Sequence, residues 1–254
     1  MPVKKSIENY LVLFFKFQSM KNVAVILAGG SGLRFGTETP KQFLKVAGKM
    51  VIEHTITLFN NHPSIDEIAV VIPQNYIALI SMSVIKNKFT KVRKIVIGGD
   101  ERYQSTLAAL KAFDKWEDFN ILLHDAVRPL VNHSVIDNVL KALNQYNAVM
   151  VAVPAVDTII KASSDNKIAM VPDRRWLRNA QTPQAFKFSI LKKAYNLALA
   201  DNNFSHTDDC SVVFHYLPEE PIFIVDGNYE NFKLTHKEDL ILLEKMLLLK
   251  QKTE

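Results

Sequence analysis

The sequence predicts an α/β fold: a mostly parallel sheet flanked on both faces by helices. Three observations predict it. Short β-branched runs recur along the chain, each is followed by a stretch with helical spacing, and the runs are apolar almost throughout rather than alternating. In chain order the runs are VAVIL (23–27), EIAVVI (67–72), KIVI (94–97), NILLH (120–124) and AVMVAV (148–153), each bounded by Gly, Pro or Asp. Between them MVIEHTITLF, YIALISMSVI, STLAALKAF and SVIDNVLKAL repeat apolar residues at three- and four-residue steps, which predicts the covering helices. Sheets of this kind bind ligands beyond the carboxyl ends of their strands.

Composition narrows the partners. With 254 residues, 48% hydrophobic and 22% charged, the chain is long enough to bury a full core. The net charge is +5, part of it from Lys4, Lys5, Lys16, Lys250 and Lys252 near the two ends. That balance suits a phosphorylated ligand and is too diffuse to argue for nucleic acid. Cys210 is the only cysteine, which excludes a disulfide framework and a cysteine-based zinc site, and predicts a reducing, cytoplasmic setting. Residues 1–19 begin basic and contain YLVLFF, a run too short for a secretory core, interrupted by Lys16 and followed by no small-residue cleavage site. They are expected to be an extension or an added surface helix. Residues 20–254 are expected to form a single domain, with no segment that spans a membrane.

The stretch LAGGSGLRFGTETPKQFL (27–44) follows the first strand directly. Glycines there permit positive φ and close approach of backbone N–H groups to an anion. A tight turn with no further role is the alternative. The loop lacks the Gly-Lys-Ser/Thr of a P-loop, and Phe35 stands where the dinucleotide fingerprint needs its third glycine. Later strand ends carry polar clusters of their own: GGDERYQS (98–105), HDAVRP (124–129) and PAVDT (154–158). Downstream follow RRWLRNAQTPQAF, HTDDCS and DGNYENFKLT. Any one of these alone reads as a helix cap or a solvated turn.

In this order the motifs resemble the cytidylyltransferases that act on 2-C-methyl-D-erythritol 4-phosphate or on ribitol 5-phosphate, from about Lys21 to Leu247. The resemblance implies a Rossmann-like nucleotidyltransferase sheet and transfer of a cytidylyl group from CTP to a polyol phosphate, with Mg²⁺ as cofactor and pyrophosphate released. It implies that Gly30 and Gly32 help wrap the triphosphate, and that Arg34, Lys41 and Lys233 are the catalytic cations. Ala28, Gly29, Gly99, Asp100 and Ser105 match positions lining the cytosine pocket, and Arg102 matches a residue that supports nucleotide binding. For Ser105 a helix N-cap is the bland alternative. Asp125 matches the carboxylate that helps hold Mg²⁺. His124 reads as a packed residue, since a lone histidine makes no transition-metal site.

For the acceptor the resemblance points to Thr158, Arg174, Thr182, Thr207 and Lys233, with Arg128 nearby. It also implies a β-arm over about 155–175 that reaches into a second subunit, so that a homodimer shares its active sites through Thr158 and Arg174. Two apolar pieces flanking SSDNK suit that arm; an edge hairpin is the alternative. The chain departs from the erythritol pattern at Leu217-Pro218-Glu219-Glu220 and in the placement of Trp176, both expected on the acceptor side. The erythritol phosphate is the first expectation and ribitol 5-phosphate, for cell-surface polymers, the second. A UDP-, dTDP- or GDP-sugar enzyme is not expected to carry GGDERYQS and AQTPQ. A catalytically silent homologue is expected to lose Lys41, Asp125 or Lys233, and all three are present.

Overall fold

A computed structural model describes residues 20–30, 35, 39–205 and 208–251. A seven-stranded sheet lies at its centre, built from β1 (Asn22–Leu27), β4 (Glu67–Ile72), β5 (Val92–Ile97), β6 (Asn120–Asp125), β7 (Ala148–Pro154), β10 (Arg178–Lys187) and β11 (Ile222–Asp226). The order is β11-β7-β10-β6-β1-β4-β5, and every pairing is parallel except those of β10 with β6 and β7. Two short strands, β2 (Lys45–Val46) and β3 (Lys49–Met50), form a hairpin before the first helix. Another pair, β8 (Lys161–Ala162) and β9 (Ile168–Met170), stands apart from the main sheet.

Every predicted strand is present, and its apolar run explains its place. In β1 the side chains of Val23, Val25 and Leu27 join one core cluster while Ala24 and Ile26 join the other, so both faces are dry. Burial of a Val or Ile of this kind is worth roughly 1.5–3 kcal/mol of transfer free energy. One face is covered by α1 (Val51–Asn61), α2 (Ile77–Lys86) and α4 (His133–Ala142). The other is covered by α3 (Arg102–Ala112), α5 (Phe188–Ala198) and α6 (Asp209–Tyr216). A third cluster, with Phe35, Val46, Val127 and Leu234, seats α7 (Glu238–Gln251) through Leu243 and Leu247.

Periodicity did not reveal β10 and β11. The β10 segment, RNAQTPQAFK, carries Gln181, Thr182 and Gln184 in place of an apolar run, and Pro183 argues against a central strand. The fold accommodates the proline at a register shift between Gln181 and Gln184 in the pairing with β7. A second correction concerns Leu217–Glu220, expected on the acceptor side. This turn precedes β11, whose first residue Ile222 pairs with Ala148 at the start of β7, and Asn147 Nδ2 donates to Glu220 Oε1 at 3.0 Å. It lies at the amino ends of the strands, opposite the edge where the motifs gather. Trp176 is 82% exposed in a single 3-10 turn, Arg174–Trp176.

Candidate active site

Register sets the geometry of the carboxyl edge. Leu27, the last residue of β1, pairs with Asp125, the last of β6, so the glycine loop and the HDAVRP loop leave the sheet at one level. Asp125 is only 7% exposed. Its Oδ2 lies 2.9 Å from Lys233 Nζ and 3.6 Å from Arg128 Nε, and its Oδ1 lies 3.4 Å from Arg102 Nε. Burial alone raises a carboxyl pKa, but the Lys233, Arg102 and Arg128 charges outweigh it and hold Asp125 well below the usual carboxylate range. The carboxylate is a fixed anion inside a ring of three cations.

Each cation is placed by backbone or buried polar contacts. Leu234 N donates to Val127 O at 2.9 Å, which lays Lys233 alongside the loop after β6. Arg128 Nη1 donates to Asn231 O at 2.8 Å. Asn231 is fully buried and its Nδ2 donates to Gln181 Oε1 at 3.1 Å and Thr182 O at 2.9 Å. The loop after β11 is thus knitted to β10. Gly227 is needed there, because a Cβ would stand 2.5 Å from Gln181 Oε1 and 2.8 Å from Val151 Cγ1. Arg102 opens α3, and Asp209, the first residue of α6, binds its Nη1.

Thr182 and His124 support the carboxylate from behind. Asp125 N donates to Thr182 Oγ1 at 3.1 Å, and Thr182 Oγ1 donates to His124 Nδ1 at 3.1 Å. His124 Nε2 donates to Arg128 O at 3.0 Å. This chain needs the neutral imidazole with its proton on Nε2. Burial favours that form, and it pushes the His124 pKa down to about 4. His124 is therefore a packed residue, as the sequence predicts. Thr182, expected to touch the acceptor, is instead 4% exposed with its hydroxyl engaged inside the protein, and it acts by holding the Asp125 backbone.

The other half of the edge is a close meeting of loops. Ala28 N donates to Val71 O, and Gly98 N donates to Ile72 O. A Cβ on Gly29 would stand 2.2 Å from Ser105 Oγ, and one on Gly98 would stand 2.7 Å from the same atom. Ser105 is 2% exposed and sits inside α3, so it is not the helix N-cap. The cap is Glu101, whose N–H is bonded by Gln104 Oε1 at 3.0 Å in a capping box. That returning Gln104 side chain also fills the space beside Gly99.

The structure brings Arg102, Asp125, Arg128, Thr182 and Lys233 into one cluster, and Ala28, Gly29, Gly99 and Ser105 into another at the same edge. A Cβ on Gly30 would meet nothing, and Asp100 is exposed just before α3. Lys41 opens a 3-10 turn, Lys41–Phe43, with its Nζ 5.9 Å from the Phe35 ring centre. Thr158 and Arg174 are exposed and lie on the segment carrying β8 and β9, where Arg174 Nη1 donates to Val156 O at 2.8 Å. Gly32, Arg34 and Thr207 fall outside the described residues, as does the 1–19 extension.

Sequence reasoning missed two residues. Gln42, 3% exposed, donates from Nε2 to both Ala28 O and Gly30 O at 2.9 Å and so fixes the start of the glycine loop. Asp209 is fully buried and accepts from Arg102, from Thr106 Oγ1 at 2.8 Å and from Tyr195 OH at 2.7 Å. The signals were present as the Gln of Pro-Lys-Gln and the second Asp of HTDDCS. Neither side chain has a spacing that announces burial.

A mostly parallel sheet with glycine turns and a cation-ringed carboxylate at its carboxyl edge defines an α/β protein shaped for a phosphorylated ligand. The family model for IspD, 2-C-methyl-D-erythritol 4-phosphate cytidylyltransferase, matches residues 22–249, and the chain belongs to that family. It is 43% identical over 229 residues to the 2-C-methyl-D-erythritol 4-phosphate cytidylyltransferase of Thermobifida fusca, a match covering 88% of this chain and 92% of the relative. It is 45% identical over 228 residues to the bifunctional ribulose 5-phosphate reductase/CDP-ribitol pyrophosphorylase Bcs1 of Haemophilus influenzae. That match covers 89% of this chain and 48% of the relative, so the chain spans about half of that protein's length. Among solved structures, the 4-diphosphocytidyl-2C-methyl-D-erythritol synthase of Anaerococcus prevotii superposes with a TM-score of 0.80 at 32% identity, over 90% of this chain and 96% of that one.

Proposed function

We propose that the chain transfers the cytidylyl group of CTP to a polyol phosphate, with 2-C-methyl-D-erythritol 4-phosphate as the preferred acceptor. The observation that carries this reading is Asp125, level with the glycine loop and ringed by Lys233, Arg102 and Arg128. An oxygen of the acceptor phosphate attacks the α-phosphorus. The bond from that phosphorus to the oxygen bridging to the β-phosphate breaks, and pyrophosphate leaves with the electron pair. A phosphate monoester has its second pKa near ~6, so the attacking oxygen is already an anion and no general base is needed. The obstacle is the meeting of two polyanions, which positioned cations overcome. In this reading Arg34 and Lys41 counter the charge that grows on the leaving group. Lys233 and Arg128, held by Asp125 and Asn231, face the acceptor phosphate. The glycine turns present backbone N–H groups to CTP.

No cluster of three or more His, Cys, Asp or Glu that could hold a metal exists among the described residues. Mg²⁺ binds through one or two carboxylates with substrate phosphates and water completing its shell, and Asp125 Oδ1, which has only the 3.4 Å contact with Arg102 Nε, would be the carboxylate oxygen to hold it. Bound there with the nucleotide, the ion would supply further neutralisation of phosphate charge.

The segment carrying β8 and β9 exposes Ile160, Ile168, Met170 and Val171, which supports its role as the arm of a homodimer carrying Thr158 and Arg174 to a second subunit's site. We take residues 20–254 as one domain and the setting as cytoplasmic. No helix among the described residues is long and apolar enough to cross a membrane. The Haemophilus relative keeps ribitol 5-phosphate as the second acceptor. Incubation with CTP, Mg²⁺ and each acceptor in turn, following pyrophosphate, tests both. Release with neither acceptor would reject the reading, and a tenfold higher kcat/KM with ribitol 5-phosphate would reverse the choice.

A further inference from the structure

Arg102 stands between two carboxylates. Its Nε faces Asp125 at 3.4 Å, its Nη1 binds Asp209, and its Nη2 is buried with no hydrogen-bond partner among the described residues. Asp209 is anchored independently of the arginine. Thr106 and Tyr195 both donate to its Oδ1, and Gln184 Oε1 accepts from its backbone N–H at 3.0 Å and from Cys210 N at 3.1 Å. Thr106 and Tyr195 would be satisfied equally by a neutral amide oxygen. What the carboxylate adds is charge, at a site where burying an anion costs several kcal/mol unless a cation answers it. Without that charge the guanidinium has Asp125 as its remaining anionic neighbour and would close on it as a forked pair.

We propose that Asp209 is a positioning residue for nucleotide binding: it holds the Arg102 guanidinium partly away from Asp125, in the orientation from which Arg102 supports CTP. The inference rests on the cytidylyltransferase reading and concerns a residue that never meets the ligand. A double-mutant cycle on CTP affinity, read by calorimetry without turnover, separates this role from a purely structural one. Asp209→Asn keeps the acceptor for Thr106 and Tyr195 and is expected to weaken CTP binding about tenfold. Arg102→Ala is expected to do the same. The double variant is expected to bind no more weakly than Arg102→Ala alone, because Asp209 acts only through the arginine. Multiplying losses in a wild type that binds CTP would overturn the inference and leave the function standing. No CTP binding by the wild type would overturn both. Should Asp209→Asn fail to fold, Arg102→Lys tests the same point, since a single ammonium cannot bridge two carboxylates in the orientation the guanidinium takes. About tenfold weaker binding is expected, and wild-type affinity in that variant would overturn the proposal.

Discussion

Asp125 gathers more of the site's charge than any other single side chain described. Asp125→Asn leaves Lys233, Arg102 and Arg128 facing one another without the anion that holds them, and pyrophosphate release is expected to fall by about 10²–10³. Unchanged turnover in that variant would remove the carboxylate from the mechanism. Gln42 offers a neutral counterpart. Gln42→Ala deprives two loop carbonyls of their donor and is expected to cost about 1–3 kcal/mol of stability, read from denaturant midpoints, together with activity. His62, like His124, contributes to the acid side of the stability curve. It is fully buried beside His133, with Asp137 and Lys91 in reach, and burial followed by the His133 charge lowers its pKa. A lowered folded-state pKa means that the unfolded chain takes up the proton first as pH falls. The contribution is therefore complete above about pH 6.5 and declines below it, toward the lowered value. His62→Asn keeps an acceptor for Ser64 N and should flatten the loss of stability between pH 7 and 5.5; parallel curves for the two proteins would contradict this.

At the scale of elements, the edge is assembled by loops that touch too closely for side chains. Gly29→Ala forces a Cβ against Ser105 Oγ and within 3.2 Å of Gly99 O, an overpacking expected to cost about 1–3 kcal/mol and to weaken CTP binding. Ser105→Gly in the same chain should restore part of the binding while adding about 1 kcal/mol of helix cost, and an unimproved double variant would argue against this packing. These contacts also show what a sequence displays and what it hides. Strands β1, β4, β6 and β7 were legible because each carries a run buried on both faces, and the glycine loop was legible because its composition has few other uses. β10 was not, because its polar residues are turned to internal partners: Gln181 to Asn228 and Asn231, Thr182 to Asp125, and Gln184 to α6. Hydrophobic periodicity cannot see a strand whose inward side chains are amides. Asp209 was hidden for a related reason, since its three donors come from positions 102, 106 and 195.

For the whole molecule the decisive question is whether one chain completes its own site. Arg174 and Lys41 belong to the same chain, yet the proposed arm would deliver Arg174 to a partner. Arg174→Ala and Lys41→Ala homodimers should both be inactive, since every site lacks one group. Refolded together, a mixed dimer has one site with both lesions and one with neither, so recovery should approach about a quarter of wild-type activity under random pairing. No recovery despite verified subunit exchange would make the segment an edge hairpin.

The bond from Leu234 N to Val127 O has a temporal side. It places Lys233 against a loop made more than a hundred positions earlier. When the strands from β1 to β7 have left the ribosome and can begin to pair, the ring around Asp125 still lacks its most intimate member. Closing that ring is thus a late event of synthesis, and a chain released before Lys233 would keep most of the sheet and lack the cation nearest Asp125.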